Sequence, residues 1–482
     1  MSAGCMKKVR SHLGRFGKLI TLLAAFALTA LSRSAAQGTR YTIVTNGPTS
    51  KRVNLAVLSE GYTTNQVSQF LTHATNLVNT LLARQPYLEY SNYFNAFGIF
   101  VASAETGSDH PVSGMLKNTY FNSGYDTNFD YVITIPPDYR DTNANNGQGK
   151  VDALLQVLLP ETNRLAILLV NDFQSGGSGS PALVATSLNF PPYHFGAESD
   201  IPAHESGHTF GGLADEYTNT LPSFVPVEKP NATAQTNRAL IKWTAWISTN
   251  TPVPTPDVSS NYALVGLFQG AEYQTTGWYR PKHDCKMNNL GTAFCEVCSE
   301  QLVKSIYTQI RPIDSFSPAT TNISIYSTQA VSFSVTPLQP LTHNLVVQWQ
   351  TNGVTVPGAT NSSFQLAPKL LANGTNTLRA IVSDPTPLVR IDPANLLKAT
   401  NSWTLAVSLN ELSLVAAQFL SNSHFRFTVT GAAPQGFVLQ FSANLVNWSS
   451  LQTNTLSAGK YDFTNANLSN VPMRFYRAIS PP

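Results

Sequence analysis

The sequence predicts a multidomain protein with an α/β (α+β) first domain, followed by a β-sandwich and a small β-rich C-terminal domain. Up to about Pro312, short apolar runs typical of buried strands alternate with amphipathic helical patterns. Beyond Pro312, β-rich runs separated by Asn, Gly, Pro and Ser take over, which is typical of all-β domains. The predicted segments are 1–36, 37–312, 313–408 and 409–482.

The first 36 residues have the pattern of a secretory signal peptide. Five basic residues precede the apolar run Leu19–Leu31, and small residues follow at Ser34 and Ala36. The apolar run has 13 residues, which is short for a bilayer span. We therefore expect cleavage near Ala36 and a secreted protein (extracellular, periplasmic or at the cell surface) with no membrane span in the mature chain. An uncleaved anchor is the alternative.

The charge balance argues against two classes of partner. Removing residues 1–36 leaves 24 Lys and Arg against 27 Asp and Glu, a net charge of −3. A weakly acidic surface gives no electrostatic reason to bind nucleic acid or an anionic membrane.

The elements of the first domain can be assigned in chain order. The apolar positions of the long helix are Val67, Phe70, Leu71, Ala74, Val78 and Leu81, which share one face after a threonine cap. The predicted strands are "RVNLAVLSE", "NAFGIFVAS", "DYVITI", "RLAILLV" (Arg164–Val170) and "ALVATSL".

The two C-terminal segments carry weaker signals. The stretch around Trp349 resembles the core strand of an immunoglobulin-like domain, although the two cysteines usual there are absent. The segment from about Leu409 resembles small β domains near the C-termini of secreted bacterial proteins. We expect these domains to act as carriers that bind a cell surface or a polymer.

The segment "AHESGHTFGGLADEY" (Ala203–Tyr217) contains the candidate catalytic residues. His204 and His208 are four residues apart and so lie on one face of a helix, where both imidazoles can bind one metal ion. The Glu205 carboxylate can then reach a metal-activated water without becoming a ligand. This H-E-x-x-H pattern predicts Zn²⁺ bound by the two histidines, with Glu205 as general base. A helix that merely carries two histidines is the alternative.

A catalytic zinc site needs a third protein ligand and an open position. Gly211 and Gly212 can end the helix after His208 and turn the chain back toward the metal. Asp215 is the predicted third ligand, and Glu216 is its rival. In a further alternative, both carboxylates only orient the histidine N–H groups.

The stretch "HESGHTFGGLADEY" resembles the signature of the M64 metallopeptidases, a family named after an immunoglobulin A peptidase. The resemblance covers about Tyr41 to Ile310, although Glu60 stands where an Asp is usual. It implies a metzincin-like zinc peptidase domain, in which Ala214 occupies the usual third-ligand position and cannot bind. The other resembling blocks are "LAVLSEGYTTNQ", "VNDFQSGGSGSPALVATS", "KPNATAQ", "IKWTAWI", "VGLFQGAEYQTTGWYRPKHDCKMNN" and "FCEVCSEQL".

The resemblance also implies roles for residues outside the motif. Met287 would form a methionine turn beneath the zinc ligands, although a Met that only fills the core would look the same. Cys285 would pair with Cys295 or Cys298 in a disulfide. The alternative is a structural zinc bound by His283 and these three cysteines.

Two further expectations concern the substrate. The strand "ALVATSL" would lie at the sheet edge beside the zinc and pair with an extended substrate, or else lie inside the sheet without contact. Tyr217, Tyr279 and His283 are unranked candidates for stabilising the oxyanion.

The predicted function is a secreted zinc-dependent endopeptidase that acts on a protein or peptide substrate. The alternative is a surface or extracellular binding or adhesion protein with a non-catalytic metal site. The intact Glu205 favours the enzyme, because a merely structural zinc does not need a base. The sequence does not identify the substrate, since specificity depends on loops around the cleft.

Overall fold

The computed structural model describes residues 38–219, 221, 224–326, 330–367, 371–408, 411–420, 424–465 and 473–480. The predicted signal peptide, its cleavage site and Cys5 lie outside the described residues. The described chain is mostly β-sheet with four α-helices, and it divides into two compact units. The first unit contains the described residues up to Ile310 together with Leu388–Ile391, and the second contains Arg311–Pro387 and the described residues from Asp392 onward. Within these ranges no helix is both long enough and apolar enough to cross a membrane.

The first unit contains ten strands within its described residues. They are β1 Thr39–Val44, β2 Val53–Glu60, β3 Phe94–Phe100, β4 Gly124–Tyr125, β5 Ile133–Thr134, β6 Arg164–Val170, β7 Gly177–Gly179, β8 Val184–Thr186, β9 Phe268–Ala271 and β10 Gln274–Arg280. Six of them form one sheet in the order β1-β3-β2-β6-β8-β7. The four inner strands run parallel to one another, and each edge strand runs antiparallel to the inner strand beside it.

The inner strands confirm the predictions made from continuous apolar runs. All eight residues of β2 are buried, and β6 has the predicted bounds Arg164–Val170 with six of seven residues buried. Parallel strands are covered on both faces, so they read as apolar throughout instead of alternating. The run "DYVITI" forms only the short strand β5.

Four helices accompany this sheet: α1 Val67–Leu82, α2 Gln148–Leu158, α3 Ile201–Gly211 and α4 Glu296–Gln309. The predicted threonine cap is present as a capping box between Thr63 and Gln66, just before α1. The predicted face of α1 is confirmed, since Phe70, Ala74, Val78 and Leu81 are all buried. The helix α3 carries the H-E-x-x-H segment and packs against β7, β8 and α4.

The second unit is all-β in its described residues, as predicted beyond Pro312. Its strands are β11 Ile313–Ser317, β12 Asn322–Tyr326, β13 Val331–Pro337, β14 Val346–Thr351, β15 Val354–Thr355, β16 Ser363–Leu366, β17 Gly374–Ser383, β18 Lys398–Ser408, β19 Ser413–Phe419, β20 Phe425–Thr430, β21 Gln435–Ser442, β22 Ser449–Leu456, β23 Lys460–Asn465 and β24 Phe475–Ile479.

Two separate cores hold these strands together. The sheets β11-β13-β16 and β12-β18-β17-β14-β15 share a core in which the rings of Trp349 and Trp403 stack with centroids 5.7 Å apart. The sheets β19-β20-β23 and β22-β21-β24 share a smaller core around Phe427 and Phe437. The strict alternation of buried and exposed residues along β18 shows that this strand buries one face and exposes the other. The immunoglobulin-like assignment stays a prediction.

Candidate metal centre and active site

A glycine turn at the end of α3 brings the chain back toward its two histidines. Gly212 has the left-handed conformation (φ 62°) that glycine adopts without a steric penalty, and it ends the helix. The Leu213 N–H then donates to the Gly207 carbonyl at 3.1 Å. The predicted turn at Gly211 and Gly212 is therefore confirmed.

Main-chain carbonyls orient both imidazole rings. His204 Nδ1 lies 2.9 Å from the Lys286 carbonyl, and His208 Nδ1 lies 2.8 Å from the Leu213 carbonyl. A carbonyl only accepts, so each Nδ1 must carry the hydrogen. In the neutral rings, each Nε2 therefore presents a lone pair. Such outer hydrogen bonds are the usual means of orienting a metal-binding histidine.

The two Nε2 atoms and one carboxylate oxygen form a nearly equilateral triangle. His204 Nε2, His208 Nε2 and Asp215 Oδ1 are each 3.1 Å apart. A tetrahedral Zn²⁺ with bonds of about 2.0–2.1 Å holds its ligand atoms about 3.3 Å apart. Three converging electron pairs at this spacing repel one another unless a cation or a proton lies between them. The donor atoms and their spacing therefore fit Zn²⁺.

Glu216 does not face the histidines. It is fully buried, and its Oε1 lies 2.8 Å from Asn231 Nδ2 and 3.3 Å from Cys298 Sγ. The structure thus places Asp215 with the histidines and Glu216 with the cysteines. Asp215 contacts Nε2 atoms, whereas the orienting bonds to Nδ1 come from carbonyls, so the pair of carboxylates does not orient the histidine N–H groups.

Charge coupling perturbs the pKa values in this group. Burial alone would lower the pKa of His208, but the carboxylate of Asp215 raises it to about 9. Burial would conversely raise the pKa of Asp215, but His208 and His204 hold it well below its ordinary value. The two shifts favour a protonated His208 beside an ionised Asp215 when no cation is bound.

Glu205 lies next to the triangle, facing a cavity. This cavity of about 600 Å³ is lined by Glu205 and both histidines on one side and by residues such as Phe129, Tyr131, Pro181, Leu221 and Phe224 elsewhere. Burial raises the pKa of Glu205, and the nearby histidines partly offset that effect. A carboxyl with a raised pKa beside a candidate metal centre is suited to accept and return a proton.

The edge strand beside the site is β7, which differs from the prediction. The strand β8 of "ALVATSL" lies inside the sheet, between β6 and β7. The prediction that this segment forms the edge was wrong, and its interior alternative is confirmed. The reason is the Gly-rich hairpin, which returns β7 antiparallel along β8 and gives it the outer position.

Glycines in β7 allow it to lie directly on α3. A Cβ added at Gly179 would lie 2.7 Å from the Glu205 carbonyl oxygen and 2.8 Å from His208 Cβ. A Cβ at Gly177 would lie 2.5 Å from a methyl carbon of Ile201. The strand therefore approaches α3 more closely than any side chain would permit.

Of the three oxyanion candidates, only Tyr217 lines the cavity. Tyr279 pairs through its main chain with Thr233. The His283 ring stacks on Tyr262, with ring centroids 3.4 Å apart. Tyr279 and His283 therefore do not contribute to this site.

Sequence reasoning missed Tyr273. Its hydroxyl donates to Asp215 Oδ2, and it lines the cavity. It lies in the two-residue turn between β9 and β10, where both Glu272 (φ 52°) and Tyr273 (φ 61°) have left-handed backbone conformations. Residues other than glycine rarely adopt this conformation, and they tend to do so at functional sites. The sequence gives no usual sign of this hairpin, because the short "AEYQ" turn contains no Gly or Asn.

Met287 packs against α3, and this position suits the methionine turn and the core-filling interpretation equally. It is fully buried, and its sulfur is 2.6 Å from the position that a Cβ on Gly207 would occupy. Gly207 therefore gives the sulfur room against the helix α3.

The cysteines do not form the expected disulfide in this structure. Cys285, Cys295 and Cys298 are free thiols, all buried, and the Sγ atoms of Cys285 and Cys298 are 3.6 Å apart. His283 is not near them, because it stacks on Tyr262 and its Nε2 faces Asp257 at 3.3 Å.

Comparisons with known proteins give one informative match. The sequence profile of a family described as IgA Peptidase M64 matches residues 42–263 and 257–306. No match is found among curated proteins.

The similar solved structures carry no argument about fold or function, because their TM-scores are 0.15 or lower. They include apo β-glucuronidase 3 of Bacteroides uniformis, with 12% identity over 43% of this chain and 27% of that chain, and a TM-score of 0.14. The chain thus spans about a quarter of the length of that glucuronidase. A chaperone–tip adhesin complex of CFA/I fimbriae has 10% identity over 35% of this chain and 100% of the other (TM-score 0.15). A tetra-tandem repeat from the extending region of a large adhesion protein has 16% identity over 34% of this chain and 47% of the other (TM-score 0.14).

Proposed function

The chain belongs to the IgA peptidase M64 family, and on this premise we propose that it is a secreted zinc-dependent endopeptidase. Membership supports hydrolysis of peptide bonds in a protein or peptide substrate. The observation that carries the zinc proposal is the 3.1 Å triangle of two Nε2 atoms and Asp215 Oδ1, with Glu205 beside it.

In this proposal His204, His208 and Asp215 hold the zinc ion. Bound zinc would polarise the substrate carbonyl and lower the pKa of a water molecule. Glu205 accepts the proton of the attacking water at its carboxylate and then delivers it to the leaving amine. The Lys286 and Leu213 carbonyls keep both imidazoles oriented during this cycle, and the Tyr273 hydroxyl keeps Asp215 in place.

The edge strand β7 is the proposed docking position for the substrate backbone. The Gly177 N–H donates away from β8, to the Tyr131 carbonyl at 2.9 Å, so the outer edge of β7 is already paired at Gly177 and the proposed docking position begins at Gly179. Main-chain groups two residues apart on a strand face the same side, so Gly179 directs its N–H and C=O outward as well. An extended peptide that pairs there would pass over Glu205. Pairing of this kind does not depend on the side chains of the substrate. The residues that line the cavity would therefore determine which substrate sequences are preferred.

The domain assignments remain part of this proposal. We assign residues 37–312 to a metzincin-like peptidase domain, 313–408 to an immunoglobulin-like sandwich and 409–482 to a small β domain. The second and third domains would act as carriers that bind a cell surface or a polymer. The immunoglobulin A activity after which the family is named is not transferred to this chain, because specificity depends on the cleft.

The test is the Glu205→Gln variant, assayed for hydrolysis of an unfolded protein substrate and for zinc content. We expect at least about a 100-fold loss of turnover, because general base catalysis typically contributes 10²–10⁴-fold, while the zinc content stays that of the wild type. The control is Glu105→Gln, an exposed glutamate outside the cavity lining, which should remain fully active. Undiminished hydrolysis by Glu205→Gln would overturn the mechanism, and a zinc-loaded but inactive wild type would favour the binding-protein alternative.

A further inference from the structure

Four buried side chains of the first unit converge at a second point. Cys285, Cys298 and Glu216 are fully buried, and Cys295 is 4% exposed. Their Sγ and carboxylate oxygen atoms all lie within 4.8 Å of one another. We call this group the cysteine–glutamate cluster.

Glu216 is incompletely paired within this cluster. Its Oε1 accepts from Asn231 Nδ2 at 2.8 Å, but its Oε2 has no hydrogen-bond partner among the described residues. Leaving a buried polar atom unpaired costs about 1–3 kcal/mol, and more for a charged group. Thiols are weak hydrogen-bond donors, so they do little to stabilise a buried carboxylate. A bound cation would stabilise the carboxylate and the neighbouring thiolates together.

We propose that the cysteine–glutamate cluster binds a second Zn²⁺ ion in a closed, structural site. With Zn–S bonds of about 2.3 Å and Zn–O bonds of about 2.0–2.2 Å, a tetrahedral site places sulfurs about 3.8 Å apart and sulfur and oxygen about 3.5 Å apart. The Sγ atoms of Cys285 and Cys298 are 3.6 Å apart, and Cys298 Sγ is 3.3 Å from Glu216 Oε1. These two distances are within a few tenths of an ångström of that geometry, and the remaining pairs of donor atoms lie within 4.8 Å.

The donor set favours zinc in a structural role. Thiolates bind soft or borderline ions, and a carboxylate among them favours Zn²⁺ over Cu⁺. All four positions are filled by buried protein atoms, so no position remains for water or substrate. The second ion would therefore stabilise the fold and take no direct part in hydrolysis.

A disulfide between Cys285 and Cys298 is the competing arrangement. It requires the two sulfurs to approach from 3.6 Å to about 2.05 Å. It would also leave Cys295 buried next to Glu216, with the carboxylate oxygen still unpaired. The fourth member of the cluster is Glu216, whereas the sequence-based alternative had His283 as the fourth ligand.

Two short chain segments connect the cluster to the histidine site. Glu216 directly follows Asp215, and its N–H donates to the Met287 carbonyl at 2.8 Å. Cys285 is adjacent to Lys286, whose carbonyl orients His204. A second zinc ion would thus fix the segment that carries Asp215 and the segment that supports His204, which makes the cluster a positioning element for the catalytic site.

The experiment combines zinc counting, cobalt absorption and thiol titration on the mature chain (residues 37–482, which lack Cys5), purified without chelator or reductant. We expect two zinc ions per wild-type chain, one in the His204→Ala/His208→Ala double variant, and three titratable thiols after unfolding in chelator. Cobalt bound to the double variant should show thiolate-to-cobalt charge-transfer absorption, because only the cluster contains thiols.

The Glu216→Gln variant, which keeps the side-chain shape, should lose the metal of the cluster to a chelator at least about tenfold faster than the wild type. Ser305→Ala, a buried change on α4 outside the cluster, should leave the metal content unchanged.

Two results would overturn the proposal. No zinc in the double variant together with one titratable thiol would establish a disulfide, and no zinc with three thiols would establish plain buried thiols. The zinc content and the thiol count of the wild type test the cluster even if a variant fails to fold. If only the histidine site fails to bind zinc, the wild type and the double variant will both contain one ion.

Discussion

His204 and His208 each commit their Nδ1 hydrogen to a main-chain carbonyl, at 2.9 Å and 2.8 Å. These bonds fix the ring orientation, so both Nε2 atoms face Asp215 Oδ1. A ring rotation would break the carbonyl bond and remove a metal ligand at once. The orientation of the site is therefore set by the turn at Gly212 and by the segment around Lys286.

The raised pKa of His208 predicts how zinc affinity depends on pH. Asp215 raises this pKa to about 9 in the metal-free protein, against the lowering effect of burial. Zinc binds only the neutral imidazole, so below pH 9 it must displace this proton. We expect the apparent affinity of the histidine site to rise about tenfold per pH unit from pH 7 to pH 9 and then level off. Competition with a chromophoric chelator at each pH measures this slope, and an affinity that is flat across that range would contradict it.

Residue-level prediction worked where local geometry sets the outcome. The four-residue spacing of His204 and His208 determines a shared helix face, and the glycine pair after them determines a turn. Tyr273 was out of reach, because its contact with Asp215 depends on a hairpin that is distant in sequence and on left-handed backbone at a non-glycine residue.

At the scale of elements, the site depends on the close packing of β7 on α3. The main chain of Gly179 lies against the main chain of Glu205, where a Cβ would come within 2.7 Å of the carbonyl oxygen. A change in the spacing between β7 and α3 would therefore alter both the proposed docking edge and the proposed metal ligands.

This packing predicts a large effect of Gly179→Ala. The added Cβ meets main-chain atoms that cannot rotate away, so we expect a loss of about 1–3 kcal/mol in the free energy of unfolding and weaker peptide hydrolysis. Gly98→Ala in β3 is the matched control, because the nearest atoms there are the ends of the flexible Leu71 and Phe70 side chains at 3.2 Å. Chemical unfolding of both variants measures the difference. Equal stability of the two variants would show that the main chain of Gly179 is not packed closely against α3.

Strand identity was predictable, but strand order was not. Continuous apolar runs identify β2 and β6 because both faces of a parallel strand are buried. An apolar run does not predict which strand lies at the edge of the sheet. The edge position of β7 follows from the hairpin that pairs it with β8, which only the folded sheet reveals.

At the scale of the whole molecule, the chemistry lies in the first unit. The family match covers residues 42–263 and 257–306, and the candidate zinc triangle and the cysteine–glutamate cluster both lie within that range. The second unit was predictable as all-β from its short β-rich runs and the turn residues between them, but its role was not, because β-sandwiches serve many functions. Secretion stays a prediction, since the proposed signal peptide lies outside the described residues.

The central claim is that His204, His208 and Asp215 hold the catalytic zinc, and anomalous diffraction at the zinc absorption edge tests it most directly. Crystals of the zinc-loaded protein should show a peak about 2.0–2.2 Å from both Nε2 atoms and from Asp215 Oδ1. The Glu205 carboxylate should stay outside bonding distance of that peak. A fully loaded crystal with no peak in the triangle, or with Glu205 as a direct ligand, would contradict the proposed site and its mechanism.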